Sequence, residues 1–121
     1  MPGIVWLKIA AVYFVLGTGL GIYMGASGDH VLFPVHAHLN LLGWASLALI
    51  GLIYQQFPAL AGTRLARIQF WVHNLALPPA MLVLACYLRG NQGLEPILAI
   101  TSVAIGVAVL LFAVNLFRNL K

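Results

Sequence analysis

The chain carries very little charge. Only 7% of its 121 residues are charged, with six lysines and arginines and two acidic residues, whereas 63% are hydrophobic. The mean hydropathy is +1.02. About a quarter of the residues of a soluble domain are charged, so this composition excludes an ordinary soluble protein. It predicts an integral membrane protein that forms one compact unit over residues 1–121.

Thiols and carboxylates are also scarce. The single cysteine, Cys86, excludes a disulfide within the chain and the Cys-x-x-Cys-His attachment of a c-type haem. We expect Cys86 to be a small buried apolar residue. Asp29 and Glu95 both lie at the ends of apolar segments. A proton-coupled transporter usually needs an acidic residue inside a span, and no segment has one.

Four apolar segments separated by short breaks make up the chain. Each is about 22 to 26 residues long, enough to cross a hydrocarbon core of about 30 Å. Backbone groups in lipid must be satisfied within the segment, which favours helices over open strands. The sequence therefore predicts an all-α membrane four-helix bundle, with Thr63 as an N-cap and Pro34 in a first helical turn. The predicted helices cover residues 4–25, 32–57, 63–88 and 95–117.

The few basic residues favour one orientation. Five of the six flank the segment ends on one side of the bundle, and only Arg89 lies on the other side. The positive-inside rule then places both termini and the middle loop in the cytoplasm, and we expect a bacterial inner membrane. Because the basic residues are scattered and form no stripe, no nucleic-acid partner is predicted. The five are Lys8, Arg64, Arg67, Arg118 and Lys121.

His36 and His38 lie inside the second apolar segment. Ionisable side chains at membrane depth are costly, and neutral imidazole is the commonest transition-metal ligand. Two positions correspond to about 200° around a helix, so the two rings face different neighbours. This spacing disfavours a simple zinc site and suits a helix between two planar cofactors, haem above all. In the alternative interpretation, one histidine caps the helix and the other reaches the membrane interface.

Several neighbours bear on these histidines. Asn40 follows His36 by four residues on the same face, where it either holds the second ring nitrogen of a ligating histidine or bonds another helix. On the same helix, Gly43 and Gly51 allow close approach of a neighbouring helix or a flat ring. The first segment carries glycines at four-residue spacing, which favours a helix-packing ridge over contact with a tetrapyrrole. These are Gly17, Gly21 and Gly25.

His73 lies near the middle of the third segment. It is a candidate third metal ligand, although a hydrogen bond to a neighbouring helix is the favoured interpretation. Pro78 and Pro79 follow it and are expected to kink the helix. His30 lies in the outer loop beside Asp29, where a histidine is usually solvated.

The run from His36 to Trp44, His-Ala-His-Leu-Asn-Leu-Leu-Gly-Trp, resembles the haem-copper oxidase superfamily. The segment from Tyr54 to Pro58 strengthens the resemblance, which is greatest to the catalytic subunits of cbb3-type oxidases and nitric oxide reductases. It implies b-type haem, with His36 on the high-spin haem and His38 on the low-spin haem. That family has twelve helices in three arcs of four, and this chain resembles one arc. A homotrimer would rebuild the ring, with haems between protomers.

The resemblance does not extend to the family's copper centre. No matching histidine–histidine pair or catalytic tyrosine is found here, so a complete oxygen-reducing site is not expected. Copper held by copies of one histidine is left open. The sequence thus favours a haem protein that transfers electrons with a redox partner or binds a diatomic gas, and leaves oxidoreductase activity undecided. The alternatives are a small multidrug-type transporter and a cofactor-free assembly subunit of a respiratory complex.

Overall fold

The structure is a computed structural model that describes all 121 residues, and its only regular elements are helices. Four of its helices are long and apolar enough to cross a membrane, which confirms the predicted all-α fold and its membrane character. A short helix joins the second and third of them, and a 3-10 turn over Gln92–Leu94 precedes the last. The helices are α1 (Gly3–Ser27), α2 (Phe33–Gln56), α3 (Pro58–Ala61), α4 (Arg64–Leu88) and α5 (Glu95–Asn119).

Local sequence explains where the helices begin and end. Gly28 adopts a left-handed conformation with φ of 72° and donates its N–H to the carbonyl of Met24, which terminates α1. The hydroxyl of Thr63 accepts the N–H of Ala66 at 3.1 Å, so the predicted N-cap of α4 is present. Pro34 lies in the first turn of α2, where its missing N–H leaves no bond unmade.

One stretch of α2 departs from the predicted continuous α-helix. Residues Leu39–Ala45 form a π-helix between the α-helical stretches Phe33–His38 and Ser46–Gln56. The backbone N–H and the hydroxyl of Ser46 both donate to the carbonyl of Leu41, five residues earlier. A π-turn takes in one more residue than an α-turn and is frequent at functional sites. The apolar pattern of the segment gives no sign of it.

Glycines bring α1 and α2 into close contact along most of their length. A Cβ on Gly21 would lie 2.8 Å from Cε1 of His36, and a Cβ on Gly17 would lie 2.6 Å from the amide nitrogen of Asn40. The ring of Tyr13 occupies the space beside Gly43 in the π-helical stretch. The predicted packing ridge is thus confirmed at Gly17 and Gly21. It is wrong at Gly25, which has no heavy atom of another element within 4 Å.

A cluster of aromatic side chains joins the two helical hairpins at the end of the bundle that carries both chain termini, called here the terminal end. The fully buried Trp6 of α1 meets Phe70 of α4 edge to face, with 5.1 Å between ring centroids. It also lies 5.7 Å from Tyr54 of α2, whose ring contacts Phe112 of α5 at 5.6 Å. All four long helices therefore contribute to one core.

Cys86 is exposed on the surface of α4, so the expectation that it is buried is wrong. Lipid tails are as apolar as the bundle interior, so hydrophobicity does not say which face of a membrane helix is buried. The same helix continues through Pro78 and Pro79 without ending.

Candidate functional site

His36 is fixed by α1. Its Nδ1 lies 2.7 Å from the carbonyl oxygen of Gly17, in the half-buried contact between α1 and α2. A carbonyl oxygen only accepts hydrogen bonds, so Nδ1 carries the proton and donates it. In neutral imidazole the other nitrogen, Nε2, then keeps its lone pair. His36 therefore offers Nε2 as a ligand atom.

His38 also carries its proton on Nδ1, which a carbonyl of its own helix fixes. Its Nδ1 lies 2.6 Å from the carbonyl oxygen of Pro34, one turn earlier, and donates its proton there. The side chain is exposed in the single chain and borders a cavity of about 240 Å³ between α2, α4 and α5. Ser102 is the other polar residue at this cavity, and the remaining six lining residues are hydrophobic.

The two histidines diverge from α2. His36 packs towards Gly17 and Gly21 of α1, whereas His38 faces α4 and α5, in agreement with their separation of about 200°. They cannot bind the same metal ion. No group of three or more His, Cys, Asp or Glu side chains could hold a metal ion.

Asn40 does not hold the ring nitrogen of His36. Its amide nitrogen lies 3.4 Å from Nδ1 of His36, but Nδ1 already donates to Gly17 and two donors cannot bond each other. The amide donates instead to the backbone carbonyl of His36 at 2.9 Å. The backbone of α1 takes the orienting role that the sequence suggested for Asn40. Asn40 contributes by packing on Gly17.

His73 makes the helix–helix hydrogen bond that the sequence analysis favoured. It is fully buried, and its Nε2 donates to the carbonyl of Leu42 at 3.0 Å. Leu42 belongs to the π-helical stretch that follows His38. His73 therefore contacts the helix that bears the two candidate ligands through its backbone. It does not share a metal-binding group with them.

A buried polar network at the terminal end was not predicted from the sequence. Asn115 of α5 donates to the Tyr54 hydroxyl at 3.2 Å and to the carbonyl of Leu60 at 3.1 Å. The Tyr54 hydroxyl donates to Gln69, and the hydroxyl of Thr63 donates to the side-chain oxygen of Asn115 at 3.1 Å. The amide residues Gln69 and Asn115 inside apolar segments could have indicated it, because such side chains usually bond across helices.

The opposite end carries an ion pair between two loops. Arg89 lies 2.7 Å from the carboxylate of Asp29, and both side chains are partly accessible to solvent. The backbone N–H of Val31, followed by Arg89, lowers the pKa of Asp29 below its usual value. Asp29 in turn raises the pKa of Arg89. His30 is exposed beside this pair, as expected for a loop histidine.

The donor set fits axial ligation of haem iron. Each histidine has Nδ1–H bound to a backbone carbonyl, the arrangement that fixes the tautomer and ring orientation of metal-ligating imidazoles. Neither Nε2 is engaged by another residue of the chain.

Comparison with known proteins finds no relative. No protein-family model matches the chain, and no curated protein and no solved structure matches it. The resemblance noted from the His36–Trp44 run and the Tyr54–Pro58 segment therefore depends on those residues alone.

Proposed function

We propose that this chain is a membrane b-type haem protein that transfers electrons or binds a diatomic gas. One observation carries the proposal. Two imidazoles in an apolar helix each donate Nδ1–H to a backbone carbonyl and leave Nε2 free. Haem b, when bound, supplies one-electron redox chemistry or an open coordination position for oxygen or nitric oxide.

The residues of the chain have separate tasks in this proposal. His36 and His38 each provide Nε2 to a different haem, because they leave α2 on opposite sides. The carbonyls of Gly17 and Pro34 hold the two imidazoles in one tautomer, and Gly21 leaves room for the His36 ring. Apolar residues line most of the cavity beside His38, which suits contact with a largely apolar macrocycle.

The proposed assembly is a homotrimer, in which one protomer supplies His38 and its neighbour supplies His36. The exposure of His38 on the single chain and the divergence of the two rings support this arrangement. Native mass spectrometry of the protein released from detergent is expected to give trimer masses with bound haem. Monomers or dimers alone would contradict the assembly without contradicting haem binding.

The pyridine haemochrome assay tests the cofactor directly. The purified protein, prepared with haem supplied, is expected to show a Soret band and the haemochrome of haem b. His36→Ala and His38→Ala should each lower the haem content, and His30→Ala, which changes an exposed loop histidine, should not. A protein that stays colourless after haem is supplied would refute the proposal.

A haem-free result would favour the two other functions. The small multidrug-type transporter has less support, because neither carboxylate lies in the middle of a span. Asp29 pairs with Arg89 between the loops, and Glu95 is the first residue of α5. A haem-free chain that copurifies with a respiratory complex would instead indicate an assembly subunit.

A further inference from the structure

His73 of α4 forms a hydrogen bond to the π-helical stretch of α2. Its Nε2 donates to the carbonyl of Leu42 at 3.0 Å, and its side chain is fully buried. The hydrogen bonds that Asn40 and Ser46 make at this stretch stay within α2. His73 is therefore the only side chain of another helix that forms a hydrogen bond with residues 39–45.

The stretch meets α1 without a hydrogen bond. The ring of Tyr13 fills the space beside Gly43, and Phe14 stacks on Trp44 with 4.4 Å between ring centroids. Apolar contacts are non-directional, whereas a hydrogen bond requires its donor to lie close to the lone-pair direction of one particular carbonyl oxygen. The bond from His73 therefore selects which carbonyl of the stretch faces α4.

This selection acts on the side of α2 that carries His38. His38 and Leu42, about one turn apart, line the same cavity between α2, α4 and α5. The wall that α4 contributes to this cavity begins two turns beyond His73. His36 has a separate anchor, because its Nδ1 donates to the carbonyl of Gly17 on α1. A change in the His73 bond therefore alters the surroundings of His38 more than those of His36.

We propose that His73 is a positioning residue for His38. The bond between His38 and Pro34 fixes the imidazole within its own helix, but the rotation of that helix relative to α4 decides where Nε2 of His38 points. By holding the carbonyl of Leu42, His73 holds that rotation. π-Helical turns are rare and are found mostly at functional sites, and this bond maintains one beside a candidate ligand. The inference rests on the proposed function, in which His38 is a haem ligand.

Three variants separate the hydrogen bond from the other roles of a buried side chain. His73→Phe keeps an aromatic ring and removes the donor. His73→Gln keeps an N–H donor at about the same reach from the backbone. Asn74→Leu is the matched control, because the Asn74 amide donates to the carbonyl of Phe70 and its bond stays within α4.

Hydrogen exchange of the haem-free protein in lipid nanodiscs, followed by mass spectrometry, tests the hold on α2 without the cofactor. The amides of residues 39–46 should exchange several-fold faster in His73→Phe than in the parent, and at the parent's rate in His73→Gln and Asn74→Leu. Unchanged exchange in α5 shows that each variant remains folded. Exchange of residues 39–46 that stays at the parent's rate in His73→Phe would overturn the inference, whether or not the chain binds haem.

Haem titration of the same proteins tests the action through His38. His73→Phe should bind haem about tenfold more weakly than the parent, the lower end of what loss of a group that orients a metal ligand costs, and His73→Gln should restore most of the affinity. In a His38→Ala background, His73→Phe should have no further effect, whereas in a His36→Ala background it should weaken binding again.

Equal losses in the two backgrounds contradict the inference, because His73 then acts on the fold in general and not through His38. A parent chain that binds no haem refutes the proposed function instead. The exchange experiment then decides by itself whether His73 holds the π-helical stretch.

Discussion

The tautomer of an imidazole is decided by its nearest backbone carbonyl. Gly17 gives this carbonyl to His36, Pro34 to His38 and Leu42 to His73. The first two engage Nδ1 and the third engages Nε2. His36 and His38 are therefore left with a free Nε2, whereas His73 is left with a free Nδ1. The two with free Nε2 reach the edge of the protein, and the third is enclosed.

Gly21→Ala tests the space beside His36. A Cβ there would lie 2.8 Å from Cε1 and 3.2 Å from Nδ1 of His36, so the ring must move and its bond to Gly17 weakens. We expect a loss of stability of about 1–3 kcal/mol, typical of overpacking. SDS unfolding in mixed micelles, followed by circular dichroism, measures it.

Gly25→Ala is the matched control, since nothing lies within 4 Å of its Cβ position. Its effect should stay within about 0.5 kcal/mol. Equal losses in the two variants would show that the His36 contact is not what requires a glycine at residue 21.

Asp29 gives the loop pair a defined pH dependence. Its pKa is lower in the folded chain than the ordinary value of 3.8, because it accepts the N–H of Val31 and pairs with Arg89. Its contribution is therefore fully present above about pH 4 and disappears as the pH falls through the folded pKa. Asp29→Asn should be slightly less stable than the parent at pH 6, a value well above the carboxyl range, and equal to it in strong acid.

Thermal unfolding of both proteins across this pH range checks the prediction. Glu95→Gln is the control, because Glu95 forms no ion pair. A stability difference for Asp29→Asn that stays constant down to strong acid would contradict the role of the carboxylate.

The π-helical stretch is the distinctive element of the fold. It separates the half of α2 that carries His36 and His38 from the half that carries Tyr54. Ser46 bonds Leu41 within it, and His73 bonds Leu42 from α4. The extra residue in the widened turn rotates one half of the helix relative to the other. This element therefore sets the directions in which the two imidazoles point relative to the core.

Insertion of one alanine after Leu41 should turn the two halves of α2 relative to each other. Leu41 is exposed, and one added residue changes the relative rotation of the two halves by about 100°. We expect the helix content to persist and the haem content to fall to background. Leu41→Ala keeps the register and should retain haem. An insertion variant with full haem content would contradict the positioning role.

At the scale of the whole molecule, the terminal end holds the two hairpins together. Asn115 is fully buried and bonds to Tyr54, Leu60, Thr63 and Asn119, so it connects α5 to α2 and to the loop between the hairpins. Trp6 and its aromatic neighbours surround this network. At the opposite end, the Asp29–Arg89 ion pair links the loops of the two hairpins. This pair is partly exposed, so solvent screens it.

Asn115→Leu should therefore destabilise the bundle strongly. It removes the hydrogen bonds that Asn115 donates to the Tyr54 hydroxyl and to the Leu60 carbonyl, at a cost of about 1–3 kcal/mol for two buried bonds lost. Asn119→Leu removes only an exposed donor and should change stability little. SDS titration of both variants compares them. Equal effects would mean that the network does not join the hairpins.

The sequence by itself determined the number of membrane-length helices and their limits. Span length, Gly28, Thr63 and Pro34 act locally, and the predicted limits lie within about two residues of those observed. It also placed His36 and His38 on different sides of one helix, because helical spacing alone decides that.

Only the tertiary structure decided which atoms meet. The ring of His36 is oriented by the carbonyl of Gly17 and not by Asn40. Cys86 is exposed, and part of α2 is a π-helix. Each depends on contacts between helices distant in sequence. In a chain whose outer surface is as apolar as its core, hydropathy cannot identify those contacts, whereas close backbone approach at glycines and buried hydrogen bonds can.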